Sequence, residues 1–196
     1  MLQEQYYVIG RTRDENHPWL TWDQPEVGRK GQPVEVAEPL RFRVGEPRPD
    51  TLEWADYLRA PEALLSPRLG QVLAALDIHG VQLVPAQVRD PASPEAPPQP
   101  YLLLNVTNLL ECIDRQSSVL DTSSNGDLIW SIERLVLRED VLERVAPEQR
   151  RVFQLAEDSN VILVHQSVRD ALLAAGPSGI RFHAAYGWDA CESYYS

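Results

Sequence analysis

Apolar and polar residues alternate in several short stretches of the chain, and this pattern predicts strands. PLRFRVG (39–45) alternates apolar and basic side chains, as a half-exposed strand does. Four further stretches are rich in strand-forming residues. They are QYYVIG (5–10), VQLVPAQVRD (81–90), YLLLNV (101–106) and IRFHAAYGW (180–188). The chain is therefore expected to contain a large proportion of sheet.

Helix signals are fewer but clear. Ser66 precedes Pro67, and serine at the N-cap with proline at the first helical position is a typical opening. The apolar face of that helix comprises Leu69, Val72, Leu73 and Leu76. Ser167 and Asp170 form an acidic variant of the capping box, which predicts a second helix. A short helix is also predicted over LEWADYLR (52–59), ended by the proline that follows.

Strands and helices do not alternate regularly along the chain, so a parallel β-α-β sheet is disfavoured. We predict an α+β fold with mainly antiparallel sheets and a few amphipathic helices. The segment PASPEAPPQP (91–100) is half proline, which favours a surface loop or linker over a sheet interior. This segment divides the chain into an N-terminal half, 1–90, and a C-terminal half, 101–196, as two subdomains or as parts of one domain.

Charge and composition narrow the classes of function. The chain has a formal net charge of −11, which disfavours nucleic acid as a direct ligand because phosphate binding needs cations. The same charge is compatible with a basic protein partner. The chain has neither a long apolar run nor a signal-peptide pattern at its start, so we predict a cytoplasmic protein that does not bind a membrane. The oligomeric state is left open.

The stretch NVTNLLECIDRQSS (105–118) carries the densest cluster of polar residues after a strand. Cys112 has two readings: a buried core residue, or a nucleophile with His165 or His183 as its base. Neighbouring carboxylates raise the pKa of a thiol, which favours the buried residue.

A structural interpretation follows for the whole stretch. Asn105, Asp114 and Ser117 are expected to satisfy backbone groups around the strand end, with Cys112 in the core. The polar cluster is thus predicted to be a structural motif with no catalytic residue.

The segment HPWLTWDQPEVGRKGQP (17–33) is rich in proline and glycine and is predicted to be mostly loop. Trp19, Trp22 and Asp23 lie within it as a candidate partner-binding patch, since tryptophan is enriched at binding hot spots. The alternative is that both indoles pack on the core as lids.

The motifs of metal and cofactor sites are missing from the sequence. The four histidines have neither HxxxH nor HxH spacing, and CxxC is absent. GxGxxG, P-loop and GxSxG patterns are absent as well. We therefore expect no cofactor and no metal.

Several motifs, in their order, resemble a family of bacterial immunity proteins from polymorphic toxin systems, the myxobacterial-type immunity domain. The matching stretches are YYVI (6–9), PLRF (39–42), LLSPRLGQVLAAL (64–76), GVQLVPAQV (80–88), YLLLNVTNLLECIDRQSS (101–118), VFQL (152–155) and VRDALLAAGPSGIRF (168–182). The most distinctive piece is Asn105-Val106 followed by Cys112, Asp114 and Ser117.

The resemblance implies a protein encoded beside a toxin, which it binds and neutralises without catalysis. Two alternatives remain open at this point: a cysteine-dependent enzyme built on Cys112, and a structural or protein-interaction module. In the second alternative the proline-rich segment 91–100 is itself a peptide ligand.

Overall fold

The computed structural model describes residues 1–28 and 30–191. The strands are β1 (Tyr6–Arg11), β2 (Leu20–Trp22), β3 (Leu40–Val44), β4 (Tyr57–Arg59), β5 (Ala63–Leu65), β6 (Val81–Arg89), β7 (Gln99–Val106), β8 (Leu109–Leu110), β9 (Val119–Thr122), β10 (Ile129–Arg134), β11 (Val152–Leu155), β12 (Ile162–His165) and β13 (Ile180–Ala184). The α-helices are α1 (Pro67–Ala74), α2 (Glu139–Arg144) and α3 (Gln166–Ala174). The predicted α+β class with mainly antiparallel pairing is confirmed.

The larger sheet has the strand order β2-β3-β6-β7-β5-β4. Strands β3 and β6 run parallel, and the other neighbours run antiparallel. The Leu20 amide donates to the carbonyl of Ala60, the residue after β4, at 3.3 Å. This contact brings the two edges of the sheet together, and we call the curled sheet the barrel. The barrel interior is one hydrophobic core, which includes Phe42, Leu58 and Leu103.

The second sheet has the order β13-β1-β12-β11-β8. One of its faces packs on the outside of the barrel, together with α1 and α3, through a shared core that includes Ile9, Leu104 and Val164. Its other face supports a separate core with Phe153 and Leu163. The β9–β10 hairpin covers that core with its inner side chains. The middle sheet is therefore buried on both faces.

One carboxylate connects the barrel to α1 and to the loop before β13. Asp56 accepts hydrogen bonds from the Ser66 hydroxyl at 2.7 Å, the Arg68 Nη2 at 2.6 Å and the Ser178 amide at 3.0 Å. Ser66 also caps α1 by accepting from the Leu69 amide at 3.2 Å. Burial raises the pKa of Asp56, but these hydrogen bonds outweigh burial and lower the pKa to about 2.

The predicted helix opening at Ser66 and Pro67 is confirmed, whereas the predicted helix over 52–59 is wrong. Residues 57–59 form β4 and pair with β5. The reason is that Tyr57 points into the core shared by the two sheets while Leu58 points into the barrel. Burying consecutive side chains on opposite sides requires the two-residue period of a strand.

A second correction concerns the start of α3. The cap is His165, whose Nδ1 accepts from the Ser167 amide at 3.2 Å, and Ser167 lies inside the first turn. This shift occurs because β12 leads into α3 without a loop, so the last strand residue is the cap. None of the helices in residues 1–28 and 30–191 combines the length and apolar character needed to cross a bilayer.

The proline-rich segment connects two neighbouring strands. Residues 91–98 form the exposed loop between β6 and β7, whereas Gln99 and Pro100, predicted as part of the loop, belong to β7 and pair with β6. The loop is anchored at Asp90, which is buried and accepts from the Arg48 Nε at 3.2 Å and Nη2 at 2.8 Å. Each large sheet contains strands from both sides of this loop, and the division into halves 1–90 and 101–196 stays a prediction.

Candidate partner-binding grooves

Two grooves on the surface contain three of the predicted site residues, Trp19, Asp114 and Ser117. The first, the tryptophan–arginine groove, lies between the barrel and the β9–β10 hairpin and has a volume of about 340 Å³. The side chains that define it are Arg11, Trp19, Arg59, Trp130 and Trp188. The second, the polar groove, has a volume of about 980 Å³. The side chains that define it are Glu111, Asp114, Arg138, Glu139, Asp140 and Glu157.

Arg11 is the central cation of the tryptophan–arginine groove. Its guanidinium carbon lies 3.9 Å from the centre of the Trp19 ring, within range of a cation–π interaction. Its Nη2 donates to the His17 carbonyl at 3.1 Å. Its Nη1 is buried and meets no acceptor among the described residues. Burial lowers the pKa of Arg11, but a guanidinium stays charged in proteins. Arg11 is therefore a cation with one unused donor among the described residues.

The indoles of this groove combine exposed surface with a second unused donor. Trp19 is 42% exposed and Trp130 is 69% exposed. Trp188 is half-buried, and its Nε1 has no acceptor within the part of the chain that the structure describes. Buried N–H groups nearly always have partners in folded proteins, so two unpaired donors along one groove are notable.

The structure separates the two tryptophans that the sequence placed in one candidate patch. Trp22 lies in β2 and stacks on Phe42, with ring centres 4.2 Å apart. Asp23 pairs with Arg89 at 2.9 Å. Trp19 precedes β2 and faces the tryptophan–arginine groove. Of the three, Trp19 is the exposed aromatic.

Sequence reasoning missed Trp130, the most exposed tryptophan of the described chain. It lies in β10 beside Leu128, which is also exposed. The signal present in the sequence is the apolar run LIW (128–130), which is separated by one residue from the Asn-Gly pair at 125–126. That run shows a strand start, but a bulge in the pairing with β9 decides which side chain turns outward.

The polar groove contains much of the NVTNLLECIDRQSS stretch. Asp114 Oδ1 accepts from the amides of Gln116 at 3.0 Å and Ser117 at 3.2 Å. The hydrogen bonds from the Ser117 side chain and these amides lower the pKa of Asp114. Asn105 lies elsewhere, in β7, where its Nδ2 donates to the Gln32 carbonyl at 2.9 Å.

Two further carboxylates of the polar groove are occupied by internal donors. Glu139 accepts from the amides of Leu2 at 2.8 Å and Gln3 at 3.1 Å, and so ties the N-terminal segment to α2. Asp140 pairs with Arg138 at 2.9 Å and also with Arg144. The side-chain hydrogen bond from Arg138 lowers the pKa of Asp140.

Glu157 is the exception in the polar groove. Its Oε1 accepts from the Ile113 amide at 2.8 Å. Its Oε2 is buried and has no donor among the described residues. Burial raises the pKa of Glu157, because the charged form is poorly solvated there.

Cys112 lies behind this groove and is fully buried. Burial, followed by the charge of Glu157, raises the pKa of the Cys112 thiol. The ring of His165 is hydrogen-bonded to Ser167 at 2.9 Å and to Gln5 at 3.1 Å. A protonated, inaccessible thiol does not fit the needs of a nucleophile, which must be a thiolate that the substrate can reach.

One group of side chains has the composition of a metal site. Asp14, His17 and Glu53 each place a ligand atom within 4.8 Å of the others. A histidine with two carboxylates is a donor set that transition metals accept. Spacing in the sequence did not reveal this group because Glu53 comes from a separate loop. His17 Nε2 lies 3.7 Å from Asp14 Oδ2, so a direct contact between these two side chains accounts for part of the arrangement.

Comparison with protein-family models finds a match that extends over residues 2–187. The chain belongs to the immunity protein family Imm11. This confirms the resemblance to an immunity family, and the Imm11 match covers both large sheets and the β9–β10 hairpin. No similar sequence is found among curated proteins.

Proposed function

We propose that this Imm11 protein binds and neutralises a toxin encoded beside it, in the cytoplasm of the bacterium that makes the toxin. The observation that carries the proposal is the family match over residues 2–187. Neutralisation by binding requires a complementary surface and no catalytic group. The exposed indoles of the tryptophan–arginine groove are suited to such a surface, because tryptophan supplies large contact area at binding hot spots.

The proposed contact surface is centred on Trp19 and Trp130. Trp22 and Asp23 remain part of it as neighbours of Trp19 on the barrel edge. The net charge of −11 attracts a toxin with basic surface over long range and raises the rate of association. The sequence and the grooves therefore support a protein partner in preference to nucleic acid.

An enzymatic role has less support. Cys112 is fully buried and its thiol pKa is raised by burial. The carboxylates Asp114, Glu139 and Asp140 are engaged by internal donors. We therefore propose that the protein acts by stoichiometric binding and not by turnover.

The test is co-expression of this chain with the product of the adjacent gene. We expect growth to be rescued and the two proteins to elute together from a sizing column in a fixed ratio. A catalytically inactive toxin should form the same complex, which separates binding from inhibition of expression. If the toxin is shown to be active and the chain neither rescues growth nor forms a complex with it, the proposal is rejected for that pair.

A further inference from the structure

We propose that the tryptophan–arginine groove receives a carboxylate side chain of the toxin, flanked by apolar or aromatic residues. The proposal rests on the proposed function and specifies the chemistry of the partner at this site. It assigns an acidic contact segment to a partner whose overall surface is expected to be basic.

The first argument is the incomplete pairing of Arg11. Its Nη1 is buried without an acceptor among the described residues, whereas its Nη2 is paired with the His17 carbonyl. A guanidinium is always charged and presents its donors as a planar fork that matches a carboxylate. Nη1 exposes almost no surface in the free chain, so an acceptor delivered by a partner would satisfy it only with a shift of the neighbouring side chains.

Trp188 provides the second argument. Its Nε1 is also buried and lacks an acceptor within residues 1–28 and 30–191. Indole N–H is a donor only, so the group that satisfies it must carry an acceptor oxygen or a similar atom. Arg11 and Trp188 line the same groove, and both require an acceptor.

The apolar walls define what accompanies the carboxylate. Trp19 and Trp130 line the groove with exposed indole surface, and Pro61 lines it as well. These rings would cover apolar or aromatic side chains on either side of the acidic residue. At about 340 Å³, the groove is near the lower end of ligand-pocket volumes, which suits one or two side chains.

Charge within the groove distinguishes an acidic guest from a basic one. Among the described residues that line the groove, two are arginines, Arg11 and Arg59, and one is a carboxylate, Asp158. The described lining therefore carries one more positive than negative charge, in a chain whose formal net charge is −11. Complementary charges at the contact give specificity. An acidic side chain can therefore bind in this groove even though the net charge of the whole chain attracts a basic toxin surface over long range.

The experiment is a double-mutant cycle on the complex with the adjacent gene product. Each surface Asp and Glu of the purified, catalytically inactive toxin is replaced by Asn or Gln. Calorimetry then measures the affinity of each variant for the wild-type chain and for Arg11→Gln. We expect at least one replacement to weaken binding by about tenfold with the wild type and by less than about threefold with Arg11→Gln.

Two further variants keep the outcome clear. Arg181→Gln, at an exposed arginine of β13 that does not line the groove, should retain the full tenfold loss. If Arg11→Gln does not fold, Trp130→Ala still tests the groove. The Trp130 side chain is exposed, so its removal should leave the chain folded. Trp130→Ala should weaken binding of the unaltered toxin by about tenfold or more.

Several results would overturn the inference. One is a complex in which every toxin variant loses the same affinity with Arg11→Gln as with the wild type, while Trp130→Ala binds the toxin normally. This result would leave the proposed function intact. Another is self-association through the groove, seen on a sizing column as a dimer that Trp130→Ala dissociates. Absence of any complex with an active toxin would instead reject the proposed function for that pair, and this inference with it.

Discussion

The polar groove and the tryptophan–arginine groove use their charged side chains in opposite ways. In the polar groove the carboxylates of Asp114, Glu139 and Asp140 accept from donors of the same chain. In the tryptophan–arginine groove, donors of Arg11 and Trp188 lack acceptors among the described residues. Those three carboxylates of the larger groove are satisfied internally, with Glu157 Oε2 as the exception, whereas the two donors of the smaller groove are not.

This difference shows why groove volume is a poor guide to function here. The polar groove has nearly three times the volume of the other, yet its charges hold the N-terminal segment, α2 and the turn at 114–117 in place. Unpaired buried donors and exposed indoles are costly for a free protein, so their presence together in one groove favours a role in recognition. We therefore expect substitutions in one groove to change stability and in the other to change binding.

The largest expected effect tests that contrast with one exposed aromatic from each groove. Trp130→Ala should weaken toxin binding by about 2 kcal/mol, or about 30-fold, as loss of a hot-spot tryptophan does. Tyr186→Ala removes a side chain that is 52% exposed and lines the polar groove. It should change the affinity by less than about threefold. Equal losses measured by calorimetry would remove the distinction between the grooves.

The second effect is on stability. Glu139→Ala leaves the amides of Leu2 and Gln3 without their acceptor and should lower the free energy of unfolding by about 1–2 kcal/mol. Glu143→Ala, at an exposed position of the same helix, is the matched control and should change it by less than about 0.5 kcal/mol. Urea unfolding measures both variants. Toxin affinity should be unchanged in each, and a binding defect in a folded Glu139→Ala chain would contradict the structural role.

The third effect separates the two thiols. Iodoacetamide near neutral pH should label Cys191, which is exposed, and leave Cys112 unlabelled in the folded chain. Cys112→Ala should lower the free energy of unfolding by about 1 kcal/mol through the small cavity that it leaves. Mass spectrometry of the labelled protein and urea unfolding provide the measurements. Loss of toxin neutralisation in a folded Cys112→Ala variant would return the cysteine-dependent enzyme to consideration.

The smallest effect concerns the pH dependence of stability at Glu157. Burial raises its pKa in the folded chain above the ordinary value of 4.5. Its favourable contribution is therefore present below the unfolded pKa and is lost as the pH rises through the folded pKa. Glu157→Gln keeps an acceptor for the Ile113 amide and removes the titration. The variant should gain stability relative to wild type between pH 4 and pH 8, as followed by urea unfolding at each pH. A constant difference across this range would show that Glu157 does not titrate abnormally.

Local sequence predicted those elements in which one rule was sufficient. Ser66 caps α1 by accepting from the Leu69 amide, and serine before proline is a typical helix opening that depends on adjacent residues alone. The alternation of PLRFRVG matches β3, whose apolar side chains point into the barrel and whose arginines point outward. The order of motifs also predicted the immunity family, and the family match over residues 2–187 confirms that prediction.

Other elements depended on contacts with distant parts of the chain. A proline follows 52–59, as at the end of a helix, but pairing with β5 and two separate cores on either side make residues 57–59 a strand. His165 replaced Ser167 as the cap of α3 because β12 ends where the helix begins. Trp130 became the most exposed tryptophan of the described chain through a bulge in its pairing with β9.

By itself, then, the sequence determined the α+β class, the caps and alternations that depend on near neighbours, and membership of the immunity family. Tertiary structure alone decided which charges are paired and which are left over. Arg11, Trp19, Trp130 and Trp188 come from four separated parts of the chain, and no local rule relates them. Whether a donor finds its acceptor depends on the packing of whole sheets, and for this reason the tryptophan–arginine groove is visible only in the folded molecule.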